Sequence, residues 1–475
     1  MDWKRIVHHL NKFYTSIWDN IEKIKSALLF LLIALSIFLT WNLWTYTPNI
    51  NVLENEAPIK TAIEEGKKER LSNIIQPKQI IIHQDGKHFW AYAKSQKRLY
   101  KQLQSATLVN GEFVNFKQNA ARDEIEIIYP TSIPLEVLKE TFTFSNNNFL
   151  SNKSGNVEKV QVFKDNDQWK LQFVLENPPK GENPSDFKIP QFELTSDMQN
   201  TINSLITKTL EAGPKAEVSK VYITEEDTEP VYLPKEKMEI KSYSFFTNEV
   251  NIDQFVKALL LSKDVASRKF TNPNKILYMK LRNQITYYED SKEFTYINWK
   301  NQEDGIQQNP IIQSLDFMNN HQGWIGEEND YHLYHYDSQL NSETKSTQKD
   351  LHYRMVMQGF PVVDDIPSNS ISKIEIEWMN NQAGKYSRSL MYPHSVIEWS
   401  NVTVPDGEAV KKALERKLEV YPTTQISDVM LGYKAIEKDP ASGDYVLTPT
   451  WYYKGLSSWI EIDFDKNETP TNKGG

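Results

Sequence analysis

"DGEAVKKALERKLEV" at residues 406–420, followed by "MLGYKAIE" at 430–437 and "YVLTPTWYY" at 445–453, carries the architecture of this chain in miniature. Val410, Ala413, Leu414 and Leu418 recur at helical spacing, and Asp406 stands where its side chain can accept from the free amides of a first helical turn. The two later runs are rich in β-branched and aromatic residues and flank the turn-forming stretch Asp439–Asp444, so they predict a hairpin. A lone hairpin is unstable in water, and a helix laid over one face supplies the missing burial. The stretch therefore predicts an α+β unit in which a helix covers an antiparallel sheet.

Working outward, the same order recurs. Ile252, Phe255, Val256, Leu259 and Leu260 precede "QITYY" and "EFTYINW", which lie around Glu289–Lys292. Asn309 caps and Pro310 opens a helix with Ile311, Ile312, Leu315 and Met318, ahead of "YHLYHY" and "LHYRMVM". Further upstream, Gln79–His83, Phe89–Ala93, Glu112–Phe116, Glu124–Tyr129, Val157–Lys164 and Trp169–Leu175 read as strands, with helices near Ser95–Ser105 and Ser196–Leu210. The expected organisation is α+β throughout, with tandem domains at 72–235, 236–365 and 366–465 and a polar tail at 466–475. Residues 48–71, with Pro48, Pro58 and the charged run Glu64–Arg70, are expected to be a stalk linker.

The N-terminal part has a different composition. From Ser26 to Thr47 there is no charged residue. As a helix this stretch would rise roughly 33 Å, against about 30 Å of bilayer hydrocarbon. No small-residue cleavage site follows it, and Trp41, Trp44 and Tyr46 suit a membrane interface. Lys4, Arg5, Lys12, Lys23 and Lys25 precede it, whereas acidic residues follow. The expectation is a retained single-pass anchor at 26–47, with a cytoplasmic amphipathic tail at 1–25, extracellular domains beyond, and the cytoplasmic membrane as a partner. On that helix Ser36, Thr40, Leu43 and Thr47 share a face, Asn42 adds an amide, and together they are the expected contacts with a partner helix.

Composition removes several functions. The net charge of −9 argues against nucleic acid, and with no cysteine there is neither disulfide nor thiol chemistry. His332, His335 and Asp337 form the best metal-ligand spacing, but on a strand the two histidines point to opposite faces. Asp364–Asp365 and Glu375/Glu377 offer carboxylate pairs of the kind a glycosidase needs, without any sign that they face each other. Trp451, Tyr452 and Tyr453 would suit sugar stacking, yet they fall where a final core strand belongs. No catalytic residue, cofactor or metal is expected.

Two stretches carry a family resemblance. "LSIFLTWNLWTYTP" at 35–48 resembles the membrane-exit signature of the YycH (WalH) family, and "GYKAIEKDPASGDYVLTPTWYY" at 432–453 is similar to the last helix–hairpin unit of YycH and its sister YycI. The segment before Ser26 is longer than the family pattern. The resemblance implies that the two C-terminal domains are YycI-like in fold. It also implies a membrane-anchored, non-enzymatic regulator of a cell-wall two-component system. Such a regulator would bind the sensor kinase WalK (YycG) together with YycI, through transmembrane and extracytoplasmic contacts. The alternative is an anchored cell-wall enzyme or glycan-binding module.

Overall fold

In the computed structural model the described residues are 25–40 and 61–464, apart from 116–122, 152, 177–187, 212–215, 225–229, 262–264, 272, 300–307, 327–328, 341–346, 365–369, 380, 440–442 and 457. Residues 25–40 form an α-helix that is exposed along its length. Among the described residues no helix is long and apolar enough to cross a membrane. That overturns the single-pass anchor expected over Ser26–Thr47. The orientation, the extracellular placement and the membrane partnership built on that anchor are overturned with it. Residues 1–24 and 41–60, which hold most of the expected tail, Trp41, Asn42, Leu43, Trp44, Tyr46 and Thr47, lie outside the described residues, as does 466–475.

Residues 60–475 form a unit of their own, and within it the charged segment expected to be a linker is partly built into the core. Ile63 is fully buried, and its amide donates to the His321 carbonyl at 3.0 Å. Gly66–Lys67 pairs with Trp324–Ile325. A Cβ on Gly66 would come within 1.7 Å of the Gln322 carbonyl oxygen, so only glycine allows this approach.

Two sheets carry the rest. The first has ten strands, with Val231–Pro234 and Glu217–Val221 at one end and Thr107–Asn115 and Thr143–Phe144 at the other. Its centre is Gln79–Gln84, Glu124–Pro134, Asn156–Asp165 and Gln168–Leu175 in consecutive antiparallel pairs. Ile80, Ile82, Ile125, Ile127, Val160, Val162, Leu171 and Phe173 are buried along these strands. Helices Lys94–Ser105, Leu135–Thr141 and Ser196–Leu210 contribute Leu99, Leu103, Leu138 and Ile202 to the same core.

The second sheet has fourteen strands, twelve of them on one path from Ala266–Thr271 at one end to Met391–Val404 at the other, with Asp330–Leu340 and Trp459–Glu461 pairing off it. Three helices alternate with its strands along the chain, the last of them, Gly407–Val420, packing on Glu217–Val221 and Val231–Pro234 of the first sheet, and their caps follow the sequence. Asn309 accepts from the Ile311 amide ahead of Pro310–Asn320. Asp406 accepts from Ala409 ahead of Gly407–Val420. Asn251 accepts from Asp253 ahead of Ile252–Leu260.

The expected boundary at residue 365 does not divide this sheet. Met238–Glu249 pairs with Met391–Val404 and Asp444–Lys454, while Lys373–Met379 and Gln382–Ser389 pair back into the central strands. Phe360–Val363, paired in parallel with Asp428–Asp439, joins the two halves. Each half lends strands to the other, and one hydrophobic core runs from Ile63 to Ile462.

Candidate functional site

The surface that departs from ordinary burial is the end of the large sheet at Met391–Val404, "MYPHSVIEWSNVTV". This strand pairs antiparallel with Met238–Glu249 over its full length, from Met238 opposite Val404 to Glu249 opposite Met391. Two register shifts leave Ile397 and His394 as extra residues that bulge the strand. Val396 lies opposite Phe245 and Trp399 opposite Tyr243. Phe245 and Tyr243 are buried, at 1% and 8% exposure. Val396, Ile397 and Trp399 are 54%, 48% and 56% exposed, with Phe246 beside them at 46%. The cover over the core side of the sheet therefore ends one strand too soon, and the row of apolar side chains continues into solvent.

The inner strand is fixed in place. Ser242 Oγ donates to the Leu447 carbonyl at 2.9 Å, Tyr433 Oη to the Lys241 carbonyl at 2.9 Å, and Thr247 Oγ1 to the Gly443 carbonyl at 3.0 Å. Lys241 Nζ sits 3.5 Å from the centre of the Trp399 ring, a cation–π contact that holds the indole against the ribbon. The result is a rigid ledge with exposed apolar side chains and an outer strand edge. Such an edge offers backbone donors and acceptors to an incoming strand, and apolar side chains give that pairing its selectivity.

A second feature joins the two sheets. Lys78 Nζ binds Asp428 at 2.5 Å across a cavity of about 520 Å³ that Glu126, Lys159, Tyr232 and Lys454 also line. Glu126 accepts from Tyr232 Oη at 2.6 Å and faces Lys159 Nζ at 3.0 Å and His83 Nε2 at 3.3 Å. Burial alone would raise its pKa, but His83, Lys159 and Tyr232 outweigh that and hold it at about 2. His83 and His88 meet Nδ1 to Nδ1 at 2.7 Å, and burial, with His83 beside it, lowers His88 to about 4. A carboxylate so fully engaged is a strut rather than an acid or a base.

The residues singled out from sequence fall elsewhere. Ser36 and Thr40 lie on the exposed helix at 25–40. His332 and His335 are on the strand Asp330–Leu340, where a shift at Tyr334 sets them opposite Arg354 and His352, two positions on one face of the neighbouring strand. The bulge thus undoes the alternation expected from sequence, but among the described residues no three ligands are placed to hold a metal. Glu375 and Glu377 share a face with Lys373 and Lys385 as their partners, at 2.5 and 2.7 Å. Asp364 is buried, and Asp365 lies outside the described residues. Trp451, Tyr452 and Tyr453 are buried at 2–4% exposure, so none is a platform for sugar. Sequence reasoning missed the ledge itself: "SVIEWSN" reads as any core strand would.

Two largely antiparallel sheets packed with helices, one of them ending in an exposed apolar strand, define an α+β scaffold. Residues 22–177 match the YycH protein, N-terminal domain family, and residues 228–469 match the YycH protein, C-terminal domain family. The two-component system WalR/WalK regulatory protein YycH of Bacillus subtilis (strain 168) is 21% identical over 94% of this chain and 97% of its own length. The crystal structure of YycH from Bacillus subtilis superposes with a TM-score of 0.64 at 16% identity, covering 85% of this chain and 99% of that one, and so shares the fold. The chain belongs to the YycH family of two-component regulatory proteins.

Proposed function

We propose that this chain regulates a WalR/WalK-type two-component system by binding its sensor kinase, and that the ledge at Val396–Trp399 is the principal contact. Family membership supports the first part, together with the regulatory role that the B. subtilis relative's name states. The observation that carries the second is the exposed row of Val396, Ile397 and Trp399 on a strand with one free edge. An extended segment of the kinase would add to this edge through main-chain hydrogen bonds while its apolar side chains cover Val396 and Trp399. The helix at 25–40, with Ser36 and Thr40 on one face, is a second proposed contact for the same kinase, together with Asn42, Leu43 and Thr47 beyond it.

The test is reconstitution. Purified chain is added to the kinase and its response regulator, and the rate of phosphoryl transfer is followed. A rate that changes with added chain, and that returns to the kinase-alone value when Ile397→Lys and Trp399→Lys are introduced, supports the reading. A rate that does not respond to saturating wild-type chain contradicts it.

A further inference from the structure

On the polar face of the central sheet lies a cavity of about 220 Å³ lined by Glu293, Asp364, Ser370, Lys373, Glu375 and Arg388, among others. Three consecutive backbone amides assemble its acidic side. The Ser370 amide donates to Glu293, and the Ile371 and Ser372 amides donate to Asp364 Oδ2 at 2.6 and 2.9 Å. Two carboxylates from distant strands are thereby drawn to one small space. Burial first, and then the charge of Asp364, push Glu293 up to about 7, and burial likewise raises Asp364.

The cations near the cavity already have partners, and they offset only part of its negative charge: Lys373 acts on Glu293, and the buried Arg354 on Asp364. Lys373 Nζ pairs with Glu375 at 2.5 Å. Arg388 donates from Nε to the Ser389 carbonyl at 3.0 Å and from Nη1 to the Gly323 carbonyl. Ser370 supplies an independent sign of a missing occupant. It lines the cavity at 6% exposure, and among the described residues its buried hydroxyl has no hydrogen-bond partner. Buried hydroxyls are normally satisfied, so one facing crowded carboxylates asks for a donor-rich cation. Among the described residues no three ligands are placed for a metal ion. An ammonium head, compact and with three donors, matches the acceptors present.

We propose that this cavity binds a primary ammonium group, either the side chain of a lysine in a partner protein or a small free amine. Its donors go to Glu293 and Ser370 Oγ, while the positive charge relieves the repulsion between Glu293 and Asp364. The assignment is independent of the ledge.

Two probes, N-α-acetyl-lysine methylamide and 1-aminobutane, are titrated into the full chain by calorimetry at constant ionic strength. Glu293→Gln is expected to weaken both about tenfold or more, since it removes the charge that pairs with the ammonium, and Ser370→Ala to weaken them severalfold, since it removes one hydrogen bond to the ligand. Glu293→Gln keeps shape while removing a charge the pocket disfavours, so it should fold; circular dichroism checks that it does. Affinity should rise as pH passes upward through 7, because Glu293 ionises there while the amine stays protonated. Tighter binding of the lysine derivative points to a partner's lysine, and equal binding to a free amine. Failure of both probes to bind, or equal affinity in wild type and Glu293→Gln, overturns the proposal, as does an affinity that does not change with pH.

Discussion

The two ends of the large sheet solve the same problem differently. At Ala266–Thr271 the terminal strand is six residues long and carries Arg268 and Lys269, with Lys269 Nζ 2.7 Å from Glu289. Arg268 and Lys275 both lie over Phe270, at 4.9 and 5.4 Å from its ring centre. Short length and cations on an edge discourage a second chain from adding to it. At Met391–Val404 the terminal strand has fourteen residues, and its exposed middle is Val396, Ile397, Glu398 and Trp399. Its bulges, Pro393 and the acidic Glu398 blunt it in part, and no cation lies in its exposed middle. A fold able to protect one edge and not the other points to use of the second.

The comparison presumes that both edges hang on one rigid body, and the largest expected effect tests that body. Glu126→Ala removes the carboxylate shared by His83, Lys159 and Tyr232 at the joint. Breaking a buried ionic cluster this way should cost about 3–5 kcal/mol, read from the urea midpoint. Acid should act in the same direction. Burial lowers His88, His332 and His352 to about 4, below the ordinary histidine value of 6.5. The unfolded chain therefore binds these protons first, and stability should fall progressively as pH drops from 6.5 to 4. Glu293, raised from 4.5 to about 7, works oppositely and loses stability as pH rises through that range. Burial also lowers His321, to about 3, and His335, and it raises Asp364; five lowered histidines outweigh two raised carboxylates, so the net slope is positive, and thermal melts across the range would show it.

A second prediction inverts the protected edge. Arg268→Val with Lys269→Val turns a cationic strand into an apolar one, and light scattering should detect self-association absent from wild type. If the variant stays as monodisperse as wild type, charge is not what guards that edge. The smallest effect is expected at Lys241→Ala. Losing an exposed cation–π contact with Trp399 should weaken partner binding by about 0.5–1 kcal/mol without changing stability, since the ammonium only fixes the indole.

Much of this fold was legible locally. Asn309, Asp406 and the apolar stripes after them marked helices that form where expected, because caps and periodicity are short-range signals. The strand exchange between halves was not legible. Met238–Glu249 finds its partners more than 140 residues away, and nothing in its alternation says which strand it will meet. The bulge at Tyr334 was equally hidden, since one extra residue reverses a face without changing composition. The apolar run from Ser26 misled, since hydropathy measures apolar content and among the described residues no helix is long and apolar enough to cross a membrane. The ledge was invisible for a related reason. Val396, Ile397 and Trp399 look like core, and only the missing cover over the last strand exposes them.

The most direct test places the two edges side by side against the sensor kinase. Binding of wild type, an Ile397→Lys/Trp399→Lys variant and an Arg268→Glu/Lys269→Glu variant is measured by surface plasmon resonance, with urea melts confirming equal stability. Trp399 should behave as an interface hot spot, so the first variant should lose about 2–4 kcal/mol, thirtyfold or more in Kd. The second should bind as wild type does. Equal loss in both variants, or loss only at Arg268 and Lys269, would contradict the account.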